Sequence, residues 1–191
     1  MHKGRLEAFS DGVLAIILTI MVLDLKVPRG ASVDALIPLW PVFINYVLSF
    51  IYIGIYWNNH HHLMQAAEKV DGKVLWANLH LLFWLSLIPF GTAWMGENGF
   101  VAPLPVAIYG FVLTMPGIAY SFLVKTLLKT HTQESLLAKS IGSDTKGKIS
   151  VAICALAIAL AFVSVWIAFI LYITVALIWL VPDSRIEKKI A

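Results

Sequence analysis

Long apolar runs alternate with short polar connections along the whole chain. The first run, Val13-Leu14-Ala15-Ile16-Ile17-Leu18-Thr19-Ile20-Met21-Val22-Leu23, is headed by Arg5, Phe9, Ser10 and Asp11. The pattern predicts six helical spans, at about Leu6–Leu25, Pro41–Trp57, Val74–Met95, Pro103–Val124, Ile149–Val163 and Trp166–Val181. Pro41 and Pro103 suit helix starts, where a missing N–H is harmless, and Pro182 suits a stop. Pro89 and Pro116 fall inside spans and are expected to kink them. Residues Ile149–Val181 contain no charge, glycine or proline. They read either as one very long helix or as two helices separated by a tight turn near Ser164-Val165-Trp166.

Composition decides what these spans cross. The chain has 191 residues, is 60% hydrophobic and 13% charged, and has a mean hydropathy of +0.84. A soluble domain carries about a quarter of its residues as charges. The expected fold class is therefore an all-α integral membrane protein with six transmembrane helices, forming a single domain over residues 1–191. One helix over Ile149–Val181 would overshoot a hydrocarbon layer about 30 Å thick, which favours the two-helix reading. The N-terminal run is interrupted by Asp24 and Lys26 and lacks a small-residue cleavage site, so it reads as part of the mature protein.

Basic residues set the orientation. With six spans, one side holds Lys3, Arg5, Lys69, Lys73, Lys125, Lys129, Lys139, Lys146, Lys148, Arg185, Lys188 and Lys189, and the other only Lys26 and Arg29. The positive-inside rule places both termini in the cytoplasm, and the expected location is the plasma membrane. The basic balance shows no patch with interleaved aromatics, so nucleic acid is not an expected partner. Lys125–Lys148 is the longest polar connection, expected to be a helix extension followed by a Gly142-Ser143-Asp144 turn. Cys154, the only cysteine, lies in an apolar run and reads as a packing residue.

The first helix offers two faces. At 100° per residue, Ile16, Thr19, Ile20 and Leu23 share a stripe about 100° wide that Gly12 joins, and Asp11 projects roughly opposite Ile16. An ionised carboxylate inside a membrane costs at least a few kcal/mol, by order of magnitude, unless it is paired or wetted. Asp11 therefore needs a partner, and this helix is expected to face protein or water. An aliphatic stripe recurs in most membrane helices, and a threonine on it commonly bonds the carbonyl four residues earlier.

Arg5-x-x-x-Phe9-Ser10-Asp11 followed by the aliphatic run resembles the motif that opens the first helix of the transmembrane protein 175 family of potassium channels. Trp57-Asn58-Asn59-His60-His61, Asn78 and the Leu85-to-Phe90 stretch are similar too. The resemblance implies a potassium-permeable, modestly selective cation channel with no cofactor beyond the permeant K+. Ile16, Ile20 and Leu23 would form hydrophobic constrictions, and Thr19 a hydroxyl layer favouring potassium. Arg5, Phe9, Ser10 and Asp11 would be scaffold residues, with Trp57, one of the adjacent histidines (His60 or His61) and Asn78 as partners. Animal members carry two six-helix repeats whereas this chain has one. It thus resembles the prokaryotic branch, in which a homotetramer in the lipid bilayer surrounds the pore with four first helices.

The rival readings are weaker. Thr-Val-Gly-Tyr-Gly is absent, so the carbonyl filter of ordinary potassium channels is not expected. His60-His61-His62 projects in three directions about 100° apart on a helix, which is poor geometry for one metal ion. His80 with this cluster also admits a haem reading, but paired ligands at both membrane depths are missing. A secondary transporter using intramembrane Asp11, Thr19 and histidines is the stronger alternative, although such proteins usually show repeats and helices broken near the midplane. No nucleophile–base pair or phosphate-binding glycine loop suggests an enzyme.

Overall fold

The computed structural model describes residues 3–132, 135, 137 and 144–180, which contain helices and turns and no strand. Helix α1 covers Lys3–Leu23, α2 Trp40–Ala66, α3 Gly72–Ser86, α4 Ile88–Glu97, α5 Pro103–Thr130, α6 Thr145–Leu160 and α7 Val165–Leu180. Two 3-10 turns, Val33–Ala35 and Ile37–Leu39, lead into α2. Prolines stand in the first turns of α2, α4 and α5, where the backbone N–H has no helical partner to lose. Asp71 and Asp144 cap α3 and α6, accepting from the N–H groups of Val74 at 2.9 Å and Gly147 at 3.0 Å.

Four stretches are long and apolar enough to cross a membrane: α1, residues Val33–Ala66, residues Gly72–Glu97 and α5. Helices α6 and α7 are shorter, at 16 residues each. Residues 149–180 thus form two helices. Their turn lies at 161–164, slightly before the expected position, because Trp166 already stands in the first turn of α7, stacked on Trp40 and Phe100. Helix α2 runs past Trp57 to Ala66 and carries the three histidines with it. The third expected span is broken at Leu87 rather than gently kinked. Pro89 cannot donate to the carbonyl of Leu85, and Leu87 N–H turns back to Trp84 O at 3.2 Å instead. Pro116 lies inside α5, which continues through it. Gly142 and Ser143 of the expected turn lie outside the described residues, as do Lys139, Pro182, Arg185, Lys188 and Lys189.

Helix α5 packs against α3, α4, α6 and α7, while α2 packs against α1, α4 and α7. Small residues allow the closest crossings. A Cβ at Gly96 would lie 2.9 Å from Val42 Cα, and one at Gly110 would strike the Tyr172 hydroxyl. That hydroxyl donates to Val106 O at 3.2 Å, and Tyr52 donates to Tyr172 O at 2.6 Å, so α2, α5 and α7 are tied through buried tyrosines. Helix α1 packs on α2, α3 and α4 and lies at the margin of the bundle.

Candidate functional site

The marginal position of α1 gives it one docked and one open face. Leu6, Ser10, Leu14, Ile17 and Met21 recur every three or four residues and are buried. On the other side Ile16, Ile20 and Leu23 are 58%, 44% and 80% exposed, with Thr19 and Gly12 exposed beside them. Four residues whose predicted stripe was aliphatic with one hydroxyl thus lie together on the open face. The Thr19 hydroxyl donates to Ile16 O at 2.8 Å, three residues back rather than four. Its proton is committed to the backbone, so its remaining lone pairs point outward as acceptors.

The docked face is held at its N-terminal end by a directed chain of hydrogen bonds. Ser10 donates to Leu6 O at 2.8 Å and accepts from Asn78 Nδ2 at 2.9 Å. Asn78 Oδ1 can only accept, so the His60 Nε2 found 2.8 Å away carries the proton. Ser10, His60 and Asn78 are all buried, and three helices meet at this one chain. His60 Nδ1 is buried without a partner among the described residues. A turn away, Trp57 Nε1 donates to Asp11 Oδ1 at 3.1 Å, which supplies the partner that the carboxylate needs.

Of the histidines, His60 reaches Asn78, whereas His61 stacks on Trp57 and lies 3.1 Å from Glu7. Glu7 and Lys3, which donates to Ala67 O at 3.0 Å, extend this collar and were not singled out in the sequence. The spacing of Glu7 one turn before Asp11 is the signal that would have found it. Arg5 and Phe9 are exposed at the same end of α1 and take no part in the chain of bonds. At the far end Lys26, just past α1, donates to Glu97 at the end of α4 at 2.6 Å. No group of three histidine, cysteine or acidic side chains among the described residues is placed to hold a metal ion.

A bundle of long apolar helices, with an open aliphatic stripe on a marginal helix and a polar collar at that helix's root, defines a helical membrane protein. A family model described as endosomal/lysosomal potassium channel TMEM175 matches residues 5–89, the segment that contains α1, the collar and Asn78. A potassium channel from a Chryseobacterium species is 56% identical over 190 residues, covering 100% of this chain and 98% of the relative. A potassium channel of Streptomyces collinus is 36% identical over 136 residues, 68% of this chain and 66% of the relative. The crystal structure of a lysosomal potassium-selective channel TMEM175 homolog from Chamaesiphon minutus matches with a TM-score of 0.82 at 27% identity, covering 93% of this chain and 96% of that one. The chain belongs to the TMEM175 potassium channel family.

Proposed function

We propose that four copies of this chain form a potassium-permeable channel in the plasma membrane, with α1 of each copy lining a central path. The observation that carries the reading is the open stripe of α1. A marginal helix whose unburied face holds Ile16, Thr19, Ile20 and Leu23 leaves those groups available to an axis shared by identical subunits. The full-length likeness to a potassium channel supports the ion class. In this arrangement each chain forms one channel domain of six spans: α1, α2, the broken α3–α4, α5, α6 and α7, with both ends in the cytoplasm. Helices of 16 residues rise about 24 Å, short of a hydrocarbon layer about 30 Å thick, so α6 and α7 cross it where the bilayer thins around them.

Rings of Ile16, Ile20 and Leu23 act as constrictions that close by dewetting, since an aliphatic ring too narrow for water also excludes a hydrated ion. Thr19 offers its outward lone pairs between them and tunes cation choice. Hydroxyls give fewer fixed dipoles than a carbonyl cage, so the selectivity is modest. Ser10, Asp11, Trp57, His60, His61 and Asn78 set the orientation of α1, Arg5 and Phe9 extend the motif on its exposed side, and no cofactor takes part. The broken helix at Leu87 is the feature that a transporter would use. Here, however, Leu87 and Gly91 N–H groups find backbone acceptors at 3.2 Å, and Ile88 and Pro89 are buried, so the break is packed shut.

Reconstitution in liposomes with opposed potassium and sodium gradients tests the class. A reversal potential displaced toward the potassium equilibrium value, with single-channel steps and no dependence on a second solute, is the expected result. Saturable flux coupled to a solute would replace the channel with a carrier.

A further inference from the structure

Apart from the α1 stripe, the bundle holds a cavity of about 60 Å³ between α2, α5, α6 and α7. Its origin lies in the sequence. Pro116 inside α5 cannot complete the helical ladder, and Gly117 beside it presents no side chain. A Cβ at Gly117 would stand 3.4 Å from the Tyr56 hydroxyl and 3.6 Å from Val151 Cγ2, in ordinary contact. The void therefore begins where a longer side chain would continue. A water needs about 10–15 Å³ in this measure, so the space takes the body of a molecule of several heavy atoms.

The walls are mostly apolar, but one end is not. Tyr56 forms no hydrogen bond among the described residues, although its hydroxyl faces this space. Asn59 uses Nδ2 on Ile55 O and leaves Oδ1 without a donor. Asp144, exposed at the mouth of the same end, has one oxygen on Gly147 N–H and the other on the Ser121 hydroxyl at 3.2 Å. A carboxylate has about four acceptor positions, so two remain. Trp179, whose Nε1 donates to Ser150 at 2.8 Å, supplies a ring wall that already bears the Lys146 ammonium 4.8 Å from its centroid. Acceptors and a carboxylate at one end of an otherwise apolar space describe a receptor for a cation with an alkyl body.

We propose that this cavity is a binding site for a small organic ammonium ion with a short alkyl body. The ammonium meets Asp144 and Asn59 Oδ1, and the alkyl part lies along the apolar walls beside Gly117. Tyr56 and Asn59 flank Trp57 on α2, so an occupant sits within a turn of the collar around α1. The proposal does not depend on α1 lining a pore.

Calorimetric titration of the purified full-length protein in detergent, with n-pentylammonium, n-pentanol and pentanoate as ligands, tests it. The ammonium should bind at least about tenfold more tightly than the alcohol, and pentanoate should not bind. Asp144→Asn keeps a helix-capping side chain and should weaken the ammonium about five- to tenfold while leaving the alcohol unchanged. Gly117→Leu fills the cavity and should abolish binding of both; thermal unfolding of this variant without ligand establishes that it is folded. Equal binding of ammonium and alcohol, or an unaltered affinity in Asp144→Asn, overturns the charge recognition. Retained binding in folded Gly117→Leu overturns the location.

Discussion

The indole Nε1 of Trp57 lies 3.1 Å from Asp11 Oδ1, joining the end of the first apolar run's polar head to the middle of α2. This bond lets an acidic residue stand at the root of a membrane helix without an ion-pair partner. Trp57→Phe keeps an aromatic ring near His61 but removes the N–H together with part of the indole. Because the pair is partly exposed, the change should lower stability by about 0.5–1.5 kcal/mol. Asp11→Asn should cost less, because its carbonyl still accepts. Thermal unfolding in detergent measures both, and equal melting temperatures for Trp57→Phe and the parent would show that the bond is not worth its geometry.

Asn78 is the one residue that bonds both α1 and α2 in the buried chain. Asn78→Leu leaves the His60 N–H without an acceptor, while the Ser10 hydroxyl loses an incoming donor but still donates to Leu6 O. One orphaned group and one lost bond should together lower stability by about 1.5–4 kcal/mol. A double-mutant cycle with Ser10→Ala should show coupling between them, since Ser10→Ala already removes the bond from Asn78 Nδ2. Strict additivity would mean that the chain does not act as a unit.

The open face of α1 makes a different prediction, since its side chains are exposed and form no bond to another helix among the described residues. Ile16→Asn and Leu23→Asn should leave folding within about 0.5 kcal/mol of the parent and raise basal potassium flux in liposomes. Thr19→Val should shift the ratio of potassium to sodium permeability with little effect on folding. Parent-like currents in all three would place the barrier elsewhere.

Asn45 on α2 is fully buried, and neither atom of its carboxamide finds a partner among the described residues. Replacing it by leucine, of similar volume, removes two unsatisfied groups. Asn45→Leu should raise stability by about 1–3 kcal/mol in a thermal melt. A lowered melting temperature would reveal a bound water or a partner subunit at this position.

Much of the collar was legible as residue types before any contact was known. Asp11 was readable because a carboxylate at the head of an apolar run needs a partner, whereas Ser10, Trp57 and Asn78 came from the resemblance to the family's motif. Which histidine serves Asn78 was not readable, because adjacent side chains differ by about 100° and only the helix phase of α2 selects His60 over His61. Glu7 was passed over because its partner lies 54 positions away in sequence, on α2. The break at Leu87 was expected only as a kink, since the packing of Ile88 and Pro89 decides how far a proline-weakened helix opens.

Taken alone, the order of residues determined the helical runs, their proline starts, the aliphatic stripe of α1 and the need of Asp11 for a partner. These are local properties, set by periodicity, missing N–H groups and the cost of an unpaired charge in an apolar medium. Tertiary structure decided that α1 lies at the margin, that its stripe is left open, and that Tyr172 rests where Gly110 has no side chain. It also decided that a proline–glycine step in α5 leaves a cavity beside Tyr56. Those outcomes depend on how helices distant in sequence cross, and close packing allows a crossing only where side-chain shapes from both helices fit together.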